Sequence, residues 1–166
     1  MHLLIIGAAG MIGHKLAEKV AATGMIGDRK VDVLTLADVI EPEAATDFDG
    51  ERRVMAVDLS QDGTAERLIA DQPDVVVHLA AIVSGEAEAD FDKGYRINLD
   101  GTRMLFDAIR LTQGYVPRVV YASSLAVFGA PFPDRIPDDF HLTPLTSYGT
   151  QKAIGELLLD DYSRLG

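Results

Sequence analysis

Tyr148 and Lys152 stand four residues apart, in the segment YGTQK. If this segment is helical, residues at positions i and i+4 project from the same face, and the two side chains are neighbours. An ammonium beside a phenol favours the phenolate, which can take a proton from a hydroxyl at neutral pH. The spacing therefore predicts a general base, Tyr148, that is assisted by Lys152.

A serine at the end of an apolar segment predicts a second contact to the same substrate. Ser124 follows the segment 118–122, which has the composition of a buried strand. Ligands of open α/β sheets bind beyond the carboxyl ends of the strands. We therefore expect the hydroxyl of Ser124 to hydrogen-bond the substrate oxygen that Tyr148 deprotonates.

A glycine-rich turn near the N-terminus predicts a dinucleotide site. The sequence GAAGMIG lies between the apolar segment 2–6 and a helical pattern formed by Ile12, Leu16 and Val20. Glycines let the backbone approach a pyrophosphate, and a helix N-terminus offers unpaired N–H groups to the anion. Glycines also serve tight turns and close helix packing, but this context favours cofactor binding. The expected contacts are Gly7, Gly10, Met11, Ile12 and Gly13.

Two acidic residues are candidate contacts to the adenosine half of the cofactor. Asp38 ends the second predicted strand, where a carboxylate can accept from both ribose hydroxyls and would repel a 2′-phosphate. NAD is therefore favoured over NADP, although Asp38 could also be a solvated acid. Asp58 ends the third predicted strand and is expected, with Leu59, near the adenine. A loop-capping role is the alternative for Asp58.

The sequence HLAA closes the fourth predicted strand. Its small residues would let the backbone run beside the cofactor at Leu79, Ala80 and Ala81. We expect His78 to be a hydrogen-bonded core residue, not a catalyst. Because no second histidine lies at metal-ligand spacing, no metal site is expected.

Apolar segments that alternate with helical patterns must position these residues. Strands joined by crossovers long enough for a helix predict an α/β Rossmann-type fold, a doubly wound parallel sheet of order 3-2-1-4-5 with helices on both faces. We expect a single domain over residues 1–166, without the sixth strand and the C-terminal substrate-binding part. The strands are predicted at 2–6, 31–36, 53–57, 74–79 and 118–122, and the two longest helices at 91–112 and 146–164.

Composition limits the classes of function. The chain has 166 residues with 48% hydrophobic and 25% charged residues, an ordinary balance for a globular domain. Its net charge of −11 argues against nucleic acid as a partner. No apolar run is long enough to predict a membrane span. The absence of cysteine excludes disulfides and thiolate chemistry and fits a cytoplasmic location.

The order of these motifs resembles the extended short-chain dehydrogenase/reductase superfamily, of the NAD-dependent epimerase/dehydratase type. The resemblance rests on GAAGMIG, Asp38, Asp58, HLAA, Asn98, YASSLAVFG and YGTQK, and it covers nearly the whole chain. It implies a catalytic triad of Ser124, Tyr148 and Lys152, with Lys152 also holding the nicotinamide ribose. Ser123 is the alternative to Ser124, but the spacing to the following VFG favours Ser124.

The resemblance also implies a role for Asn98. In this superfamily an asparagine at this place supports a water-linked proton relay to the lysine, here Lys152. The alternative is a buried asparagine that pins a helix. By the same resemblance we expect a homodimer.

Within the superfamily, YASSLAVFG and PDDFHLTPLTSYGTQK most resemble the D-erythronate dehydrogenase group, which oxidises the C2 hydroxyl of a four-carbon sugar acid with NAD. Phe128, Ala126 and Gln151 depart from the usual tyrosine, threonine and serine. The first two border the substrate position and weaken a nucleotide-sugar interpretation. We expect an NAD-dependent oxidoreductase for a small polyhydroxylated substrate. A nucleotide-sugar epimerase or dehydratase with tightly bound NAD and an NAD-binding module without turnover are the alternatives.

Overall fold

The computed structural model of the chain contains a five-stranded parallel sheet and describes residues 1–43 and 47–165. Residues 44–46 and 166 of the predicted domain lie outside the described residues. The strands are β1 His2–Ile6, β4 Val33–Asp38, β5 Glu51–Ala56, β6 Val75–His78 and β7 Arg118–Tyr121. Two short strands, β2 Met25–Ile26 and β3 Arg29–Lys30, form a separate antiparallel hairpin.

The sheet order is β5-β4-β1-β6-β7, which confirms the predicted order 3-2-1-4-5. The central strands are buried on both faces, because helices cover both sides of the sheet. This explains why β1 and β6 read as continuous apolar runs instead of alternating patterns. The edge strand β7 has alternating exposed and half-buried residues, so its signal in the sequence is weaker.

Six α-helices lie in the described part of the chain: α1 Met11–Thr23, α2 Thr64–Ile69, α3 Ser84–Ala89, α4 Phe91–Gly94, α5 Gly101–Leu111 and α6 Ser147–Leu165. The sequence predicted one helix over 91–112. The structure instead interrupts it with a π-helical turn, Tyr95–Asp100, between α4 and α5. A short 3₁₀ turn, Leu125–Val127, precedes the loop that leads to α6.

The two faces of the sheet carry separate hydrophobic cores. On one face, Leu3 and Ile5 of β1 pack with Val20 of α1. On the other face, Leu4 of β1 packs with Leu105 of α5 and with residues of α2 and α6. This arrangement confirms a doubly wound sheet with helices on both faces.

The strand register aligns the carboxyl ends of the sheet. Ile6 pairs with Ala37 on one side and with His78 on the other, and His78 pairs with Tyr121. The segments that follow these strands therefore leave the sheet at one edge. This edge gathers the glycine turn, Asp38, residues 79–81 and the two serines.

One predicted strand end differs from the structure. Asp58 was expected to end the third strand, but β5 ends at Ala56. The Val57 N–H still donates to the Asp38 carbonyl at 2.7 Å, and the chain then turns, because Asp58 caps the turn through Ser60. Asp58 thus lies in the turn that follows the strand.

A helix that crosses a bilayer needs about 20 predominantly apolar residues. Within residues 1–43 and 47–165, no helix combines that length with that composition.

The core on the α5 face gives a direct test of the packing. Leu105 is 0% exposed, whereas Leu111 on the same helix is 71% exposed. We expect Leu105→Ala to lower the free energy of unfolding by about 2–5 kcal/mol, through lost burial and a cavity. The matched control Leu111→Ala should change it by less than about 0.5 kcal/mol. Urea unfolding measures both, and equal losses would contradict this packing.

Candidate active site

The glycine turn joins β1 to α1 and packs tightly against its neighbours. Gly7 has a φ of +91°, and a Cβ placed there would lie 2.6 Å from the Ala80 nitrogen. A Cβ on Gly13 would lie 2.1 Å from the Gly7 carbonyl oxygen. Gly10, in contrast, is exposed, and its lack of a side chain leaves the surface above the turn open. The first and third glycines thus serve packing, and the middle one leaves room for a ligand.

The N-terminus of α1 presents unpaired donors at this open surface. The first intrahelical bond runs from the His14 N–H to the Gly10 carbonyl at 2.8 Å. The N–H groups of Met11, Ile12 and Gly13 therefore precede the helical hydrogen-bond ladder. The first turn contains no acidic residue to offset the positive end of the helix dipole. The residues present fit the pyrophosphate of a dinucleotide.

Asp38 closes the end of β4 against the glycine turn. One carboxylate oxygen accepts from the Ala9 N–H at 2.9 Å, and the other accepts from the Val39 N–H at 2.7 Å. Each oxygen keeps a second lone pair, so ribose hydroxyls could still donate to it. The position of Asp38 beside the turn fits the expected ribose contact.

Asp58 and Leu59 lie farther along the same edge. Asp58 accepts from the N–H of Ser60 at 2.9 Å and from its hydroxyl at 2.7 Å. Burial opposes the charge, but the hydrogen bonds from Ser60 hold the pKa of Asp58 below its ordinary value. The side chain of Leu59 is buried in the core. The geometry thus gives Asp58 the loop-capping contacts that were its alternative role.

The end of β6 lies directly beside the glycine turn. The Leu79 N–H donates to the Ile6 carbonyl at 2.8 Å, so the two chains stay paired beyond the strand. Ala80 contacts the position that a Gly7 side chain would fill. Leu79, Ala80 and Ala81 are half-buried. This segment is placed where small residues would let a cofactor lie on the backbone.

His78 is buried and acts as a hydrogen-bond donor. The Thr102 hydroxyl donates its proton to the Asn98 carbonyl at 2.7 Å, so His78 Nε2, 2.9 Å from this hydroxyl, must donate to it. Burial, together with the charge of Lys152, lowers the pKa of His78 to about 3. The imidazole is therefore neutral at physiological pH and unsuited to proton transfer.

The helix α6 that carries Tyr148 and Lys152 begins with a threonine cap. The Gly149 N–H donates to the Thr146 hydroxyl at 3.0 Å, which satisfies one free donor of the first turn. A Cβ on Gly149 would lie 2.1 Å from the Ala126 carbonyl oxygen. The 3₁₀ turn that follows Ser124 therefore packs directly on the first turn of α6, next to Tyr148.

Lys152 is the most buried charged group of the site, with 3% of its surface exposed. Its ammonium donates to the Ala122 carbonyl at 2.8 Å and lies 4.7 Å from the ring centroid of Tyr121. The ring centroid of Tyr148 is 5.9 Å away. Burial lowers the pKa of Lys152 to about 8, so the ammonium remains largely charged at neutral pH. The expected cation beside the phenol is therefore present.

The two serines after β7 have different partners. The Ser123 hydroxyl donates to the Glu156 carboxylate on α6. The Ser124 oxygen accepts from the Ala126 N–H at 3.2 Å and caps the 3₁₀ turn beside Tyr148. This difference favours Ser124 as the substrate contact, because Ser123 is already engaged by a charged acceptor.

Asn98 lies in the π-helical turn and is almost fully buried. Its side-chain oxygen accepts from the Ile82 N–H at 2.8 Å. Its amide nitrogen donates to the Ile82 carbonyl at 3.1 Å and to the Gln151 side-chain oxygen at 2.8 Å. These contacts are those of a residue that pins a helix to the segment after β6. Sequence reasoning did not identify the partners, although Gln151 was noted as a departure from the superfamily.

The structure thus brings Ser124, Tyr148, Lys152 and Asn98 to the edge that holds the glycine turn and Asp38. Within the part of the chain that the structure describes, no three histidine or acidic side chains lie close enough together to hold a metal ion. The arrangement is suited to proton transfer beside a dinucleotide.

The burial of Lys152 can be tested through the pH dependence of the free energy of unfolding. The unfolded chain holds the Lys152 proton up to about pH 10.5, whereas the folded chain releases it near pH 8. Between these values the unfolded state binds more protons, so stability should rise with pH. We expect wild type to gain about 3 kcal/mol relative to Lys152→Met across this window.

Unfolding by urea at several pH values measures this gain. The exposed Lys15→Met is the matched control and should follow the pH dependence of wild type. Parallel curves for wild type and Lys152→Met would show that Lys152 is not desolvated in the folded chain.

Comparison with known proteins agrees with this arrangement. A family model described as the NAD-dependent epimerase/dehydratase family matches residues 3–166. The D-erythronate dehydrogenase of Cupriavidus necator is 45% identical over 170 residues, which cover 100% of this chain and 52% of that protein. The D-erythronate dehydrogenase of Haemophilus influenzae is 39% identical, with 100% of this chain and 51% of that protein covered.

A solved structure is similar over the whole chain. The nucleoside-diphosphate-sugar epimerase from Agrobacterium tumefaciens superimposes with a TM-score of 0.96 and 63% identity, covering 100% of this chain and 49% of that one. The chain spans about half the length of the curated relatives it matches. Because the family model covers nearly every residue and the strand order is that of a Rossmann fold, the chain belongs to the NAD-dependent epimerase/dehydratase family.

Proposed function

We propose that this chain carries the NAD-binding and proton-transfer part of a dehydrogenase that oxidises the C2 hydroxyl of a small sugar acid such as D-erythronate. The observation that carries the proposal is the buried ammonium of Lys152, which lies 5.9 Å from the ring centroid of Tyr148. This pair stands at the sheet edge that also holds the glycine turn. The proposed general base, Tyr148, therefore lies at the same edge of the sheet as the proposed NAD site, where the hydride would be accepted.

The cofactor site would be formed by backbone groups and one carboxylate. The N–H groups of residues 11–13 would hold the pyrophosphate, and Asp38 would accept from the adenosine ribose. Asp38 supports NAD over NADP, because a 2′-phosphate would meet its negative charge. The residues at 79–81, Tyr148 and Lys152 would line the nicotinamide half, and Asn98 would hold the adjacent Ile82 in place.

The chain's own residues would move the proton. Tyr148, as phenolate, takes the proton of the substrate hydroxyl, and the ammonium of Lys152 stabilises the phenolate charge. Ser124 donates a hydrogen bond to the oxygen that becomes a carbonyl. NAD, when bound, supplies the hydride acceptor.

Two observations support a sugar acid as the substrate. Both curated relatives reported above are named D-erythronate dehydrogenase. Phe128, where the superfamily usually has a tyrosine, packs edge-on against Phe140 with ring centroids 5.8 Å apart. Neither Phe128 nor Ala126 offers a hydroxyl beside Ser124, which supports a small substrate with few contacts at this wall.

A nucleotide-sugar epimerase is the second candidate. The Agrobacterium tumefaciens protein, 63% identical to this chain, is named as such an epimerase. An epimerase returns the hydride to its substrate, so no NADH accumulates. A dehydrogenase releases its oxidised product, and NADH accumulates with each turnover.

A binding module without turnover is the third candidate, supported by the glycine turn and Asp38, which fit a dinucleotide by themselves. We also propose that the protein forms the homodimer expected from its sequence. This homodimer is supported by the exposed side chain of Leu157 on α6.

NADH formation separates these candidates. We expect NADH absorbance to rise when the protein is mixed with NAD and D-erythronate, and not with other four-carbon sugar acids of different C2 configuration. Turnover of a UDP-sugar without NADH would replace the dehydrogenase with an epimerase. NAD binding without either reaction would leave a binding module.

The role of Tyr148 is tested by removing one oxygen. Tyr148→Phe should lower turnover by at least about 100-fold, because the general base is lost, while NAD binding stays largely unchanged. Tyr162→Phe is the matched control, since it removes the same atom from the same helix at a hydroxyl that donates to Asp107. Near-normal turnover by Tyr148→Phe would exclude Tyr148 as the base.

A further inference from the structure

Gln151 is a long polar side chain that is 0% exposed, although it precedes the catalytic lysine in a helix. Its side-chain oxygen accepts from the Asn98 amide at 2.8 Å. Its side-chain nitrogen is buried and has no hydrogen-bond partner. Burying an amide whose NH₂ group has no acceptor is costly, so a buried glutamine at this position calls for a physical reason.

The structure makes space for this amide on the facing helix. A Cβ on Gly94 would lie 2.8 Å from the Gln151 side-chain nitrogen and 3.1 Å from the Cβ of Ala87. Gly94 ends α4 immediately before the π-helical turn. The Gln151 side chain on α6 thus occupies the space that is free because residue 94 on α4 is a glycine.

The contact to Asn98 extends to the end of β6. The side-chain amide of Asn98 bonds both backbone groups of Ile82: its oxygen accepts from the Ile82 N–H, and its nitrogen donates to the Ile82 carbonyl. Ile82 directly follows the segment 79–81, which lies beside the glycine turn. Gln151, Asn98 and Ile82 therefore link the helix of Tyr148 and Lys152 to the segment that would carry the nicotinamide half of the cofactor.

We infer that Gln151 is a positioning residue: its hydrogen bond to Asn98 fixes α6 against the end of β6 and so keeps the ammonium of Lys152 buried beside Tyr148. Its relevance to catalysis rests on the proposed function, but the positioning itself is a property of the folded chain. Gln151 touches neither substrate nor cofactor in this role. It acts through Asn98 and the placement of its own helix.

The pKa of Lys152 reports whether α6 is held in this position against the end of β6. Lys152 is faced by Tyr148 on its own helix, by Tyr121 on β7 and by His78 on β6, which is neutral. Burial is the cause that lowers the pKa of Lys152. If α6 shifts outward, water reaches the ammonium, and its pKa should return toward the ordinary value.

The experiment follows the ε-carbon signals of ¹³C-labelled lysine by NMR as the pH is raised. The chain has five lysines, and the spectrum of Lys152→Met assigns the signal of Lys152. Gln151→Met keeps the length of the side chain but removes the acceptor for Asn98. We expect this variant to raise the pKa of Lys152 from about 8 toward 10.5. Gln113→Met is the matched control at an exposed glutamine and should leave the titration unchanged.

The outcome that overturns the inference is a folded Gln151→Met that melts at a lower temperature but titrates Lys152 as wild type does. That result would give Gln151 a packing role alone. Gly94→Ala provides a second approach, because the added methyl displaces the same amide while the glutamine stays. It should raise the pKa of Lys152 in the same direction, and an unchanged titration in this variant would also contradict the inference.

This titration needs neither NAD nor substrate, so it is independent of the proposed function. If Gln151→Met moves the pKa of Lys152 but wild type forms no NADH from sugar acids, the positioning stands and the dehydrogenase proposal fails. If wild type forms NADH but Gln151→Met leaves the pKa of Lys152 unchanged, the dehydrogenase proposal stands and the positioning role of Gln151 fails.

Discussion

The parallel pairing of five strands in one register is the constraint on which the rest of the molecule depends. Because Ile6, Ala37, His78 and Tyr121 are linked across the sheet, every segment that leaves a strand emerges at the same edge. The two buried faces fix this register, since a slip by one residue would move each core side chain to the opposite face of the sheet, where the other core is packed for different side chains. The candidate site is assembled from segments distant in sequence because the sheet brings their starting points together.

Beneath that edge lies a layer of buried polar side chains. His78, Thr102, Asn98, Gln151 and Lys152 are all nearly or fully buried, and most are joined by hydrogen bonds to one another or to the backbone. In a low-dielectric interior each of these contacts is both stronger and more costly to lose. A layer of this kind restricts the relative movement of the sheet, the π-helical turn and α6. It therefore favours a single arrangement of α6 over several similar ones.

The sequence predicted the parts of the fold that depend on strong local signals. The strand order, the helix of Tyr148 and the glycine turn follow from apolar periodicity and from glycine spacing, and the structure agrees with them. The partners of Asn98 could not be predicted, because Ile82 and Gln151 lie 16 and 53 residues away and carry no local pattern. Asp58 was placed at a strand end because a turn capped through Ser60 resembles a strand terminus in the sequence.

The π-helical turn at Tyr95–Asp100 has a consequence for how the chain could change through evolution. Such turns are rare, and they accommodate one extra residue within an otherwise regular helix. A deletion of one residue here would restore a plain helix, and the segments on either side would keep nearly the same orientation, because the wide turn absorbs the extra residue locally. Asn98 lies within the turn, so the deletion would change the direction of its side chain, which now reaches Ile82. An alignment without gaps across this helix would hide such a change, so insertions and deletions in relatives carry more information at this turn than substitutions do.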